Sequence, residues 1–303
     1  MQNFLSVKTC SKQELMDIIK LAVDFKANPG KYSQALAGKS IATIYEKPSL
    51  RTRVSFDVGI AKLGGHAVYL DQQNGALGKR ESVKDFALNL SCWVDAIVAR
   101  VFEHQTLEEL VEFGSVPVVN SLCNLYHPCQ AMADYQTLYE VRGNSLEGAS
   151  IAYIGDGNNV THSLMLAGAI LGVDVRVITP VGYSPDAQIF EEAKKLAAEN
   201  GGRILLSNDV KDAQGVDAIY NDTWISMGDS KSLEDIQKIF NPYQTNAKLM
   251  ADTGAKYFMH CQPVYRGIEA TDDVVDGECS LLMQQAENRM HAQNAVLLTL
   301  LSK

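Results

Sequence analysis

The sequence predicts an α/β chain of two doubly wound domains, each with a central parallel sheet flanked by helices. Three observations lead there. Short runs rich in Val, Ile, Ala and Tyr alternate with helical segments along the whole chain, the pattern of right-handed βαβ units. The 303 residues make about two domains at roughly 150 residues each, and each half is long enough to bury its own core. The chemically distinctive residues fall just after strand candidates, where an open parallel sheet binds its ligands.

Ser11-Lys12-Gln13-Glu14 is a capping box that opens a helix running to about Ala27. Strands are expected at 40–46, 66–71, 96–101 and 117–121 in the first half, and at 151–154, 173–178, 203–207, 218–222 and 257–261 in the second. Their apolar character suits strands covered on both faces. The helix after strand 40–46 ends at Gly64-Gly65. A helix over 128–142, with Pro128 in its first turn, links the two sheets and is broken by Gly143-Asn144-Ser145. Another helix is expected over Pro185–Asn200, with Ser184 as N-cap and Gly201-Gly202 as the stop. The last helix, 285–301, is expected to return to the first domain. The domains are therefore placed at 1–140, completed by 285–303, and at 141–284.

Composition narrows the function. Lys and Arg number 27 against 36 Asp and Glu, a net charge of −9, which argues against nucleic acid or an anionic membrane as partner. Hydrophobic residues at 46% and charged residues at 21% are ordinary for a globular protein and exclude disorder for the chain as a whole. Cys10, Cys92, Cys123, Cys129, Cys261 and Cys279 form no C-x-x-C pair, so neither a disulfide framework nor a zinc site is expected. The first residues show no basic start followed by an apolar stretch, so no secretory leader is expected. The longest apolar run, Leu164 to Val173, is too short to span a bilayer. A cytoplasmic location is expected.

Five motifs carry chemistry. Ser49-Leu50-Arg51-Thr52-Arg53 lies between a strand and a helix, where unpaired backbone N–H groups, two hydroxyls and two guanidinium groups suit a phosphate. The plainer reading is a Ser cap followed by two surface arginines. His127-Pro128-Cys129-Gln130 opens a helix whose dipole disfavours a charged imidazole. His127 then suits either a simple cap or a neutral donor to a carbonyl oxygen.

Asp222-Thr223-Trp224-Ile225-Ser226-Met227-Gly228 leaves a strand end. Asp222 suits an ammonium group there, and an exposed Trp224 and Met227 would cover an aliphatic stem; an ordinary loop around a partly buried Trp fits equally. His260-Cys261-Gln262-Pro263 places a cysteine at a strand end, either as packing or as a functional thiol beside an Asp. Glu287-Asn288-Arg289 begins the final helix, where Arg289 alone reads as a solvated residue. The Gly155-Asp156-Gly157-Asn158-Asn159 turn invites a dinucleotide reading, but Val160 stands where the third glycine belongs, so a nicotinamide oxidoreductase is disfavoured.

These motifs in this order, S-x-R-T-R, H-P-x-Q, D-x-W-x-S-M-G, H-C-x-P and E-N-R, resemble the aspartate/ornithine carbamoyltransferase family over nearly the whole chain. D-T-W-I-S-M-G together with H-C-x-P is similar to its ornithine-using branch. The resemblance implies transfer of the carbamoyl group of carbamoyl phosphate to the δ-amine of L-ornithine, in arginine biosynthesis, with neither cofactor nor metal. It implies that Ser49, Leu50 through its backbone, Arg51 and Thr52 hold the phosphate. Arg100, His127 and Gln130 would hold the carbamoyl group, and Cys261, Gln262 and Arg289 would complete that pocket. Asn159, Asp222, Ser226 and Met227 would bind ornithine. Arg100, His127, Asp222 and Cys261 would be the catalytic set.

The resemblance further implies a homotrimer or a multiple of trimers. Other readings are a carbamoyltransferase for putrescine or N-acylated ornithine, and a non-catalytic ornithine-binding relative. The chain departs from the family at Leu50 and Gln262, where Thr and Leu are usual, and at Ala76, where many relatives carry Gln. The positive charge for carbamoyl phosphate is expected to be local, from Arg51, Arg53, Arg100 and Arg289.

Overall fold

The computed structural model describes residues 1–70, 77–224 and 232–302. The chain forms two compact units, Met1–Gln136 with Asn288–Lys303, and Thr137–Glu287. The divisions fall inside helices, so the chain passes between the units without a loop at either point.

The first unit runs α1 (Lys12–Ala27), β1 (Ser40–Tyr45), α2 (Leu50–Lys62), β2 (His66–Leu70), α3 (Val83–Ser91), β3 (Ala96–Arg100), α4 (His104–Phe113), β4 (Val118–Leu122) and α5 (Pro128–Val141). The capping box opens α1 as the sequence predicts: Ser11 Oγ accepts from the Glu14 N–H, and Glu14 Oε2 accepts from the Ser11 N–H. All strand pairs are parallel, in the order β2-β1-β3-β4. Ile41, Ala42, Ile97, Val98 and Val119 are fully buried, which explains the continuous apolar runs.

From β1 the chain moves outward to β2, and from β3 it moves the other way to β4. Right-handed crossovers therefore place α2 and α4 on opposite faces and leave a crevice beyond the ends of β1 and β3. A bulge in β4 adds Ser121 between the partners of Ala99 and Arg100, at the strand end that leads towards His127.

The second unit continues with β5 (Ser150–Ile154), α6 (Asn159–Leu171), β6 (Asp174–Ile178), α7 (Ala187–Asn200), β7 (Arg203–Ser207), β8 (Ala218–Asn221), α8 (Leu233–Phe240), α9 (Ala247–Thr253), β9 (Tyr257–His260), α10 (Asp272–Val275) and α11 (Leu282–Leu301). Its parallel sheet has the order β7-β6-β5-β8-β9, with the reversal between β5 and β8. The apolar run after Leu164 is explained by α6, whose residues Val160–Leu171 are all buried, and Gly172 ends the helix in the left-handed conformation. Among the described residues no helix is long and apolar enough to cross a membrane.

Two expectations are corrected here. Asp186, not Ser184, caps α7, accepting from the Gln188 and Ile189 N–H groups, because Ser184 and Pro185 are pressed against Gly157 in the turn after β5. β8 and β9 each stop one residue early, so Asp222 and Cys261 stand just beyond their strands.

The contact at Gly157 gives a stability prediction. A Cβ there would lie 2.2 Å from Pro185 N and 2.4 Å from Ser184 C, both backbone atoms that cannot rotate away. Gly157→Ala is expected to cost about 1–3 kcal/mol in urea denaturation. An unchanged midpoint would show that the two turns are not locked together.

Candidate active site

In the first unit a cluster forms where α2, β3, α5 and α11 meet. Ser49 is the N-cap of α2, its Oγ accepting from the Thr52 N–H at 3.3 Å, so the capping part of the plainer reading holds. The rest of that reading does not. Thr52 is buried, and its hydroxyl oxygen accepts from Arg289 Nη2 at 2.6 Å and from Arg100 Nη1 at 3.3 Å. Arg289 Nη2 also lies 3.3 Å from His127 Nε2. An Arg only donates, so Nε2 is the acceptor and the imidazole proton sits on Nδ1.

Burial pushes the His127 pKa well below the usual histidine range, and the charges of Arg289 and Arg100 push it further the same way. The ring is therefore neutral, the state its helix-start position also favours. Burial is the first cause.

Gln130 Nε2 donates to Asp134 Oδ1 at 2.8 Å, one turn along α5. That fixes the amide and leaves buried Gln130 Oε1 as an acceptor without a partner among the described residues. An NH2 group suits it. Cys129, beside it, is packing: burial raises its pKa to about 12, and its thiol donates to the Asn120 carbonyl.

Arg51 is half-buried in the first turn of α2 and makes no ion pair among the described residues. Arg53, about 200° further round the helix, faces elsewhere. It pairs with Asp57 at 3.6 Å and stacks on the Tyr69 ring. Arg53 is thus turned away from this cluster, where the charges in contact are those of Arg100 and Arg289. Leu50 exposes its side chain and brings only its backbone to the helix start.

The second unit holds a cluster beyond β5, β8 and β9. Buried Asp222 accepts at Oδ1 from the Cys261 thiol (2.9 Å) and the Thr223 N–H (2.7 Å), and at Oδ2 from Asn158 Nδ2 (2.8 Å). Cys261 is half-buried, so its thiol is poised at the surface of this cluster. Asn159 is the first residue of α6, next to Asn158. Gln262 has a left-handed backbone (φ 59°), which a non-glycine residue adopts at a cost of order 1–3 kcal/mol. Its N–H donates to His260 Nδ1 at 2.8 Å.

Asp222, His260 and Cys261 bring one potential metal ligand atom each within 4.8 Å of one another. His260 Nδ1 already accepts from the Gln262 N–H, and its Nε2 lies 3.4 Å from buried Glu269, while Cys261 is bonded to Asp222. Ser226 and Met227, expected to bind ornithine, and Ala76 lie outside the described residues. Of the two readings of Trp224, the structure bears out the buried one: it packs with Ile236 and Phe240.

Sequence reasoning missed Glu46 and Asp134, and it placed Asn158 at the strand ends without the contact that Asn158 makes there. Buried Glu46 accepts from the Leu77 and Phe102 N–H groups and ties the end of β1 to the segment after β3. Asp134 orients Gln130, and the i, i+4 spacing was the available signal. Asn158 holds Asp222, and no local pattern announces a contact across 64 positions.

Fold and site define a two-unit α/β protein with a buried arginine–threonine–histidine cluster in one unit and a carboxylate–thiol pair in the other. A family model described as aspartate/ornithine carbamoyltransferase, carbamoyl-P binding domain, matches residues 2–140, and its Asp/Orn binding domain counterpart matches residues 147–300. The chain is 60% identical over 302 residues to ornithine carbamoyltransferase from Shewanella oneidensis, covering all of both chains. It is 47% identical over 300 residues to the anabolic ornithine carbamoyltransferase of Pyrococcus furiosus, covering 98% of this chain and 95% of that one. The solved structure of the Pyrococcus furiosus ornithine carbamoyltransferase superposes with a TM-score of 0.95 at 46% identity, over 99% of this chain and 97% of that one. The chain belongs to the aspartate/ornithine carbamoyltransferase family.

The neutral state of His127 yields a titration prediction. In the unfolded chain a histidine titrates near about 6.5, while the folded pKa lies well below that. Between those values the unfolded state binds more protons, so His127 makes stability decline as pH falls below about 6.5 and leaves it unaffected above. Histidine NMR is expected to show no protonation of His127 from pH about 8 down to about 6. A midpoint near 6.5 would contradict the burial argument.

Proposed function

We propose that the chain transfers the carbamoyl group from carbamoyl phosphate to the δ-amine of L-ornithine, giving L-citrulline and phosphate. The observation that carries this reading is the convergence of Arg100 and Arg289 on Thr52 at the start of α2, with His127 against Arg289. The phosphate needs many donors, and the first turn of α2 with Arg51 and Thr52 supplies them. The carbamoyl oxygen gains negative charge as the amine attacks, and Arg100 and His127 are the donors to stabilise it. Arg289 would complete its surroundings. The carbamoyl NH2 group is itself a donor, and Gln130 Oε1 is an oriented acceptor for it.

Ornithine is the acceptor named for the relatives, and Asp222 supplies the counter-charge for one of its ammonium groups, with Asn159, Ser226 and Met227 as further ornithine ligands. The attacking amine must be neutral. At a lysine-like pKa of about 10.4, deprotonation at pH 7 costs roughly 4–5 kcal/mol. Holding both substrates in place can contribute about 7–11 kcal/mol towards that and the remaining barrier.

The anabolic name of the Pyrococcus furiosus relative supports arginine biosynthesis as the direction. A reducing, cytoplasmic setting fits a Cys261 that acts as a thiol donor to Asp222. A homotrimer is supported by an apolar stripe on α2: Leu50, Val54 and Val58 are exposed one turn apart beside Tyr69, the kind of face a second copy covers.

A citrulline assay with ornithine, putrescine and N-acetylornithine side by side tests the reading, with turnover expected on ornithine. Arg51→Ala is expected to lower that turnover by at least about a thousandfold while leaving the fold intact; a loss of under about tenfold would remove Arg51 from the phosphate site. Turnover is also expected to rise from pH about 6 to about 9, because the neutral fraction of the amine rises with pH. A flat profile would contradict attack by the free amine as the limiting step.

A further inference from the structure

Asn158 is the N-cap of α6. Its Oδ1 accepts from the N–H groups of Val160 (2.9 Å) and Thr161 (3.2 Å), so the amide nitrogen faces the other way and donates to Asp222 Oδ2 at 2.8 Å. Donor and acceptor chemistry fixes this orientation. A flipped amide would set N–H against N–H at the helix and oxygen against the carboxylate.

A carboxylate offers about four acceptor positions. On Asp222 the Cys261 thiol and the Thr223 N–H occupy Oδ1, and Asn158 occupies one position on Oδ2. Among the described residues the remaining position is on Oδ2, beside the Asn158 amide.

We propose that Asn158 is a positioning residue for the amino-acid substrate, locking Asp222 so that Oδ2 is presented to an ammonium group. The inference rests on the reading of Asp222 as the counter-charge of ornithine. Asn158 acts through Asp222 and is set apart from the reacting atoms. Its rigidity comes from α6, a 13-residue helix buried from Val160 onwards: a side chain held by two backbone N–H groups cannot swing, so the carboxylate is oriented before substrate arrives.

The cap and the Asp222 contact can be separated, because Ser and Asp cap a helix about as well as Asn. Asn158→Ser keeps a capping hydroxyl but is too short to reach Asp222. It is expected to melt within about 3 °C of the parent. Its KM for L-ornithine should rise about tenfold or more, while its KM for carbamoyl phosphate stays within about threefold.

Asn158→Asp sets a second carboxylate against Asp222. Two such groups in contact share a proton, and that proton restores a donor to Asp222. The ornithine KM of Asn158→Asp relative to the parent is therefore expected to fall as pH is lowered from about 8 to about 6, whereas the Asn158→Ser ratio stays flat. Tyr153, Asp156, His260 and Cys261 are the other titratable groups around this pair, and taking the ratio to the parent cancels their own titration.

Asp222→Asn is measured alongside. If it raises the ornithine KM while Asn158→Ser does not, the positioning role is overturned and the reading of Asp222 stands. If Asp222→Asn leaves the ornithine KM unchanged, both are overturned. Equal losses on the two substrates for Asn158→Ser also overturn the proposal. Should Asn158→Ser lose stability, the pH-dependent ratio of Asn158→Asp decides alone, and a flat ratio overturns it.

Discussion

Parallel pairing of β1 with β3, and of β5 with β8, is the constraint on which the rest of the structure depends. All strands in each sheet point the same way, so their carboxyl ends share one edge. At each of these two pairs the chain departs in opposite directions, and the crossover helices part. The first crevice receives Ser49 to Thr52 from after β1 and Arg100 from the end of β3. The second receives Asn158 from after β5 and Asp222 from after β8. Residues distant in sequence meet because the topology brings their strand ends to one place.

Each crevice then solves an electrostatic problem. In the first, two buried guanidinium groups share one neutral hydroxyl, and burial and these two charges together keep the nearby imidazole uncharged. Donors for an anion are held close without a protonated histidine adding to their repulsion. In the second, a buried carboxylate is steadied by an amide, a backbone N–H and a thiol. A chain of net charge −9 can thus gather two guanidinium groups at one place, because local charge is set by the fold and not by the total.

Much of this was legible in the chain itself. Apolar runs marked the strands to within a residue or two, and the capping box marked the start of α1. Arg100, His127, Asp222 and Cys261 stand at strand ends or at the start of the helix after one, because an α/β unit ties local pattern to sheet edge. The misses share a cause. Trp224 reads equally as exposed or partly buried until Phe240 and Ile236 are packed on it. Ser184 reads as a cap until its backbone is pressed on Gly157. Arg53 reads as a phosphate ligand until the helix turns it towards Tyr69 and Asp57.

Sequence alone determined the two-sheet α/β architecture, the family and the residue types at each strand end, since these follow from periodicity and from motifs that are local in the chain. Tertiary structure decided which side chains are oriented and by what: Thr52 as the acceptor for two arginines, Asp134 behind Gln130, Asn158 behind Asp222. The physical reason is that a hydrogen bond depends on distances of a few tenths of an ångström between atoms. When those atoms come from strands far apart in the chain, only the packed fold sets such distances.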